Sequence, residues 1–174
     1  MTVKKLALAG TAAIACSFGA ATQAMTDLAT CVSAEVTEFD GTVVDAALAT
    51  PELSTLVDAV VAADLVDALN DADGITVYAP TNAAFAAVPE DVFNSVVADI
   101  DLLTGLLAYH VTATMEDPRR YVTPIRRETL AGPYIFYHRY GGEARVNQAA
   151  VNCAGVKASN GMVWLIDSVL IPQF

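Results

Sequence analysis

The sequence predicts one α+β domain, with helices first and antiparallel strands later. Three observations carry this. Apolar residues recur at helical spacing early in the chain, as at Leu53, Leu56, Val57, Val60 and Val61. From Tyr134 onward the pattern alternates, and Gly141-Gly142 supplies a two-residue hairpin signal. The 174 residues are 55% hydrophobic, which matches a single core of ordinary domain size and excludes a disordered chain. Segregated helices and strands, rather than alternating ones, define the α+β class.

Each element follows from local chemistry. Thr42 with Asp45 three residues later forms a capping box. Thr50-Pro51 starts a second helix, with proline at the first helical position, and the Leu53–Val61 stripe gives that helix a core face. Ile75 to Ala79 reads as a strand ended by Pro80. Thr81 caps a short helix carrying Phe85, which Pro89 ends, and Asp99 caps another running through Leu102, Leu103, Leu106 and Leu107. Tyr134 to Tyr140 alternates as a strand with Tyr134, Phe136, His138 and Tyr140 on one face. Glu143 to Val146 returns beside it. Within Val156–Trp164, Asn160-Gly161 has the composition of a type I′ turn, and Val163 to Ile171 is strand-like. Asn70 to Gly74 resembles a calcium loop only superficially, because Leu69 and Pro80 would occupy the first and twelfth ligand positions.

Residues 1–24 read as a secretory signal peptide: Lys4 and Lys5, an uncharged run from Leu6 to Ala15, and a cleavage signal at Thr22-Gln23-Ala24 that leaves Met25 first. The alternative is a lipoprotein anchored at Cys16 through Ala13-Ile14-Ala15-Cys16, a lipobox lacking its usual leucine. No later stretch has the ~18 consecutive apolar residues of a membrane span. The expected location is secreted or periplasmic. Cys31 and Cys153 then remain as a pair in an oxidising compartment, and a structural disulfide between them closes about 120 residues, worth about 4–5 kcal/mol in the chain-entropy model.

Charge is unevenly distributed. Residues 25–118 hold 17 Asp or Glu and no Lys or Arg, whereas residues 119–174 hold 7 Lys or Arg against 3 acids. With a formal net charge of −11, a nucleic-acid partner is excluded. The cations either compensate the acidic half internally or form a basic strip (Arg119, Arg120, Arg126, Arg127, Arg139 and Arg145) aimed at an acidic partner. Asp117-Pro118 and Thr123-Pro124 break regular structure, which places the first four in an exposed loop or edge. His110 and His138 stand without metal-ligand spacing, and the chain has no nucleophile elbow and no phosphate loop. Neither an enzyme nor a cofactor is expected.

Three segments, in order, resemble the boxes of the fasciclin-like family: Thr76-Val-Tyr-Ala-Pro-Thr-Asn-Ala-Ala-Phe-Ala-Ala-Val-Pro89, Leu106-Leu-Ala-Tyr-His-Val111, and the closing segment from Val156 to Pro172. The resemblance covers roughly Gly41 to Pro172. It implies a β-wedge with helices packed around it over residues 41–174, preceded by an N-terminal extension over residues 25–40. It also implies a non-catalytic adhesion or interaction module recognising a cell-surface protein or an anionic polysaccharide. Thr76, Pro80, Thr81, Asn82, Phe85, Asn160 and Gly161 would be its fold determinants. Tyr109 and His110 match the Tyr-His segment tied to integrin binding in animal relatives, but Gly155-Val156 stands where those carry Asp-Ile. The alternative function is a carrier of a small hydrophobic ligand such as a carotenoid, with Tyr134, Phe136, Tyr137 and Tyr140 lining its groove.

Overall fold

Thr42 opens the helical half as its neighbours dictate. The Thr42 hydroxyl accepts from the Asp45 N–H, and the Asp45 carboxylate accepts from the Thr42 N–H. The computed structural model describes residues 28–172; the expected signal peptide with its cleavage before Met25, and the alternative lipid anchor at Cys16, lie outside them. After α1 (Leu28–Ser33) and the two-residue β1 (Thr37–Glu38) comes α2 (Val43–Leu48). Pro51 begins a 3₁₀ turn, Pro51–Leu53, that leads into α3 (Ser54–Ala62). Leu53, Leu56 and Val60 of the expected stripe are buried, while Val61 faces out.

Helix α4 (Val66–Asp71) precedes β2 (Ile75–Pro80). The Thr81 hydroxyl caps α5 (Asn82–Ala86) by accepting from the Ala84 N–H. Pro89 does more than end that helix, because it is the N-cap of α6 (Glu90–Ala98), which the sequence reading passed over. Asp99 caps α7 (Ile100–Tyr109), its carboxylate accepting from the Asp101 and Leu102 N–H groups.

The remaining strands are β3 (Val111–Thr112), β4 (Ile125–Glu128), β5 (Tyr134–Tyr140), β6 (Glu143–Val146), β7 (Ala149–Lys157) and β8 (Gly161–Ile166). They join one sheet in the order β3-β2-β8-β7-β6-β5-β4, with β1 added beside β7. Strands β2 and β8 run parallel and every other pair on the main path is antiparallel. The segment read as an N-terminal extension thus supplies a strand to the sheet, Thr37 standing opposite Val156. The β5–β6 hairpin turns on Gly141 and Gly142, whose φ angles of 62° and 87° are left-handed, the region a primed turn demands.

Two cores flank β2 and β8. Ile75, Ala79 and Val163 point toward α2, α3 and α7 into one cluster; Tyr78, Trp164 and Ile166 point the other way, onto Ile135, Tyr137 and Val146 of the antiparallel half. Both strands are therefore apolar on both faces. The register of β7 shifts between Val151 and Gly155 as it passes from one half to the other.

Two expectations change. Neither Asn160 nor Gly161 has a positive φ, so their turn is not type I′. Gly161 is required for another reason: a Cβ there would stand 2.3 Å from the Ile75 carbonyl oxygen. The strand also ends at Ile166 rather than Ile171, because Asp167 closes the ladder by accepting the Ala150 N–H on its side chain.

Candidate functional site

The fold determinants form braces between distant segments. Asn160 Oδ1 accepts from the Val43 N–H at 2.9 Å, and its Nδ2 donates to the carbonyls of Leu69 and Ala72 at 2.8 and 2.9 Å. Asn82 does the same elsewhere, accepting from Thr55 N–H and donating to the Pro51 carbonyl and the Ser54 hydroxyl. The Thr76 hydroxyl donates to the Thr114 carbonyl and accepts from the Glu116 N–H. The Thr81 N–H, next to Pro80, donates to the Ile166 carbonyl, and Phe85 packs edge-on against Phe93.

Tyr109 and His110, offered by sequence as partner contacts, are instead buried at 2% and 3% exposure. The Tyr109 hydroxyl donates to the Tyr134 carbonyl. His110 Nδ1 lies 2.8 Å from the Leu106 carbonyl and its Nε2 accepts from the Leu170 N–H at 2.9 Å. The carbonyl fixes the proton on Nδ1, leaving Nε2 as the acceptor. Burial lowers the imidazole pKa to about 4, against a weaker opposing pull from the Leu106 carbonyl. Both nitrogens serve the fold.

The arginines divide. Arg119, expected at the surface, is 2% exposed. Its fork clasps Asp117, and Nη1 lies 2.8, 3.0 and 2.9 Å from the carbonyl oxygens of Cys31, Ala34 and Cys153. The guanidinium covers the Trp164 ring at 4.5 Å. Cys31 and Cys153 themselves form a disulfide beside it. Arg127 turns inward to Glu116 at 2.6 Å, which holds its pKa above the usual value. Tyr121 also donates to Glu116 and stacks on Tyr137. Arg139 donates to the Arg119 carbonyl. Only Arg120 and Arg126 of the four expected contacts are exposed, and Arg120 pairs with Asp117.

Nearby, the Tyr78 and Tyr137 hydroxyls share a hydrogen bond in the second core. Desolvation raises both pKa values, that of Tyr137 to about 12. Glu116, whose backbone carbonyl accepts from Trp164 Nε1, ties this cluster to Arg127. Its role had no signal in the sequence, where it reads as one acid among many.

The outward face of the antiparallel half remains. Tyr134, Phe136 and Tyr140 are 44%, 50% and 72% exposed, and among the described residues they are the exposed large aromatics. Tyr137, grouped with them as a groove-lining candidate, faces the core instead. Across the strands Arg126 stands opposite Phe136, and Arg145 opposite His138. Arg126 covers the Tyr134 ring at 4.8 Å and Arg145 the Tyr140 ring at 5.7 Å. On the helical side an apolar cavity of about 210 Å³ opens between α2, α3 and α4, bordered by Val60, Leu69, Leu107, His110 and Leu130. Among the described residues, no cluster of three His, Cys, Asp or Glu side chains is placed to hold a metal ion, and no single helix is long and apolar enough to cross a membrane.

The fasciclin domain family model matches residues 51–172. Protein sll1483 of Synechocystis is 37% identical over 172 residues, covering 95% of both chains. Immunogenic protein MPB70 of Mycobacterium bovis is 39% identical over 127 residues, which is 70% of this chain and 64% of that protein. Cell surface glycolipoprotein MPB83, also of M. bovis, is 37% identical over 135 residues, 75% of this chain and 60% of its own length. The matched region thus spans less than two thirds of these mycobacterial relatives. A FAS1 domain pair from the insect cell adhesion molecule fasciclin I shares the fold at a TM-score of 0.53 and 20% identity, over 68% of this chain and 45% of that one. The braces at Asn82 and Asn160 lie inside the matched region, and the chain belongs to the fasciclin domain family.

Proposed function

We propose that this chain is an exported, non-catalytic adhesion module that recognises an anionic polymer at a cell surface. One observation carries the reading: the acidic half supplies the α-helices, while among the described residues the exposed large aromatics, Tyr134, Phe136 and Tyr140, share the outer face of the antiparallel strands with the exposed Arg126. His110, Tyr78, Tyr137, Glu116 and Arg119 support it from the other side, since each is engaged by a partner within the fold. The descriptions of MPB83 as a cell surface glycolipoprotein and of fasciclin I as a cell adhesion molecule point the same way. A pull-down from the native envelope with residues 25–174 tests it. Retention should weaken with added salt and with Arg120→Ala/Arg126→Ala, at unchanged folding. Absence of retention at low salt would refute it.

A second reading, a carrier of a small hydrophobic ligand such as a carotenoid, draws on the apolar cavity beside α2–α4 rather than on the aromatic strand. Visible absorbance in protein purified from its native source distinguishes the two.

A further inference from the structure

The outward sheet face has an internal order beyond its mere charge. Along β5 the side chains Tyr134, Phe136, His138 and Tyr140 project from one face, at about 6.8 Å spacing for alternate residues. Their cross-strand partners are Glu128, Arg126, Arg145 and Glu143 respectively. The two arginines thus occupy the middle of the face and the two glutamates its ends. Arg145 is bound to Glu143 at 3.0 Å. Arg126 has no acidic partner among the described residues and lies directly across from Phe136, a half-exposed phenyl ring.

Three exposed aromatic rings on one strand face are costly in water, and such a patch marks a recognition surface. A protein partner core and a flat sugar ring are both compatible with aromatic rings alone. The acids decide between ligands of the anionic class. A uniformly charged polymer would set its carboxylates against Glu128 and Glu143 as well as against Arg126. A polymer with one carboxylate flanked by neutral units would not, and its hydroxyls would donate to both glutamates.

Resting on the reading of this face as the recognition surface, we propose that it binds a polysaccharide in which a uronate is flanked by neutral sugars. The guanidinium fork of Arg126 takes the carboxylate. Phe136, the exposed ring on this face over which no guanidinium lies, supports the apolar C–H face of the same sugar ring.

Affinity electrophoresis of residues 25–174 tests this, with gels containing hyaluronan (glucuronate alternating with a neutral amino sugar), polygalacturonate or polyglutamate. Hyaluronan should retard the protein most. Phe136→Ser should weaken that retention at least tenfold and leave polyglutamate binding unchanged, whereas Arg126→Ala should weaken both. Glu128→Gln/Glu143→Gln should raise retention by polygalacturonate. All these positions are on the outer face, and thermal melting checks that folding is kept. Equal or stronger retention by polygalacturonate or polyglutamate, or no effect of Phe136→Ser, overturns the sugar assignment. In that case, Arg126-dependent retention by polyglutamate still upholds the anionic-surface reading. No retention in any gel removes both.

Discussion

Replacing Arg119 by Ala removes one end of a buried ion pair, three hydrogen bonds to carbonyls and the cover of the Trp164 ring. Deleting one partner of a buried pair costs about 3–5 kcal/mol. Each carbonyl left dry adds about 1–3 kcal/mol, and the ring contact about 0.5–2 kcal/mol. These overlap, since Asp117 keeps partial access to water and Arg120 remains beside it. The expected loss is about 5 kcal/mol, a large share of the roughly 5–15 kcal/mol that holds a domain together. Urea unfolding at pH 7, followed by the fluorescence of the single tryptophan, should shift by about 2 M or more. Arg119→Lys should recover little, because one ammonium cannot span Asp117 and three carbonyls. In a Cys31→Ser/Cys153→Ser background the Arg119→Ala loss should shrink, because both tethers hold α1 against β7. A loss under 1 kcal/mol with unchanged Trp164 emission would refute the clamp.

Removing the disulfide alone through Cys31→Ser should cost about 2–5 kcal/mol by the same urea assay; two free thiols titrated in exported, unreduced protein would contradict the bond. Arg127→Ala should cost about 1–2 kcal/mol by stripping a half-exposed counter-ion from Glu116, while Arg126→Ala should stay within about 0.5 kcal/mol. His110 makes stability pH-dependent. Its folded pKa of about 4 lies below the unfolded 6.5, so the unfolded chain binds the proton first and stability falls as pH drops. The contribution is complete above pH 6.5 and about 3 kcal/mol is lost by pH 4; an NMR titration placing His110 above pH 6 would exclude this. Asn160→Ala should cost about 2–4 kcal/mol, since it orphans the Val43 N–H and the Leu69 and Ala72 carbonyls. Thermal melting of that variant within 2 °C of wild type would contradict the brace.

Signals that act within a few residues were legible. Thr42 and Asp45, Thr81, Asp99 and the Gly141-Gly142 turn all work through neighbours in sequence, and their elements stand where those neighbours put them. Asn160 was legible as important and misread as a turn former, because its partners are about 90 and 117 residues away. Arg119 and Arg126 look alike in sequence, both near prolines in a basic stretch. One lies beneath the disulfide and the other on the sheet surface, and only distant contacts separate them: Arg119 reaches the carbonyls of Cys31, Ala34 and Cys153, whereas Arg126 lies across from Phe136. The aromatic face was legible from the period of two. Which side of β5 faces water was not, since both sides carry aromatic residues and the register across to β6 decides.

Strand β4 lies at the end of the sheet with its outer backbone groups unpaired by any other described strand. Such a rim invites a second copy to add itself. An antiparallel copy centred on this strand would put Arg126 against Arg127, or one arginine against its own twin, in each of the nearest registers. Like charges directly opposite disfavour the pairing. The Arg-Arg step therefore disfavours edge-to-edge pairing of this strand with its own copy. A neutral substitution at both positions would remove that guard along with the counter-ion of Glu116.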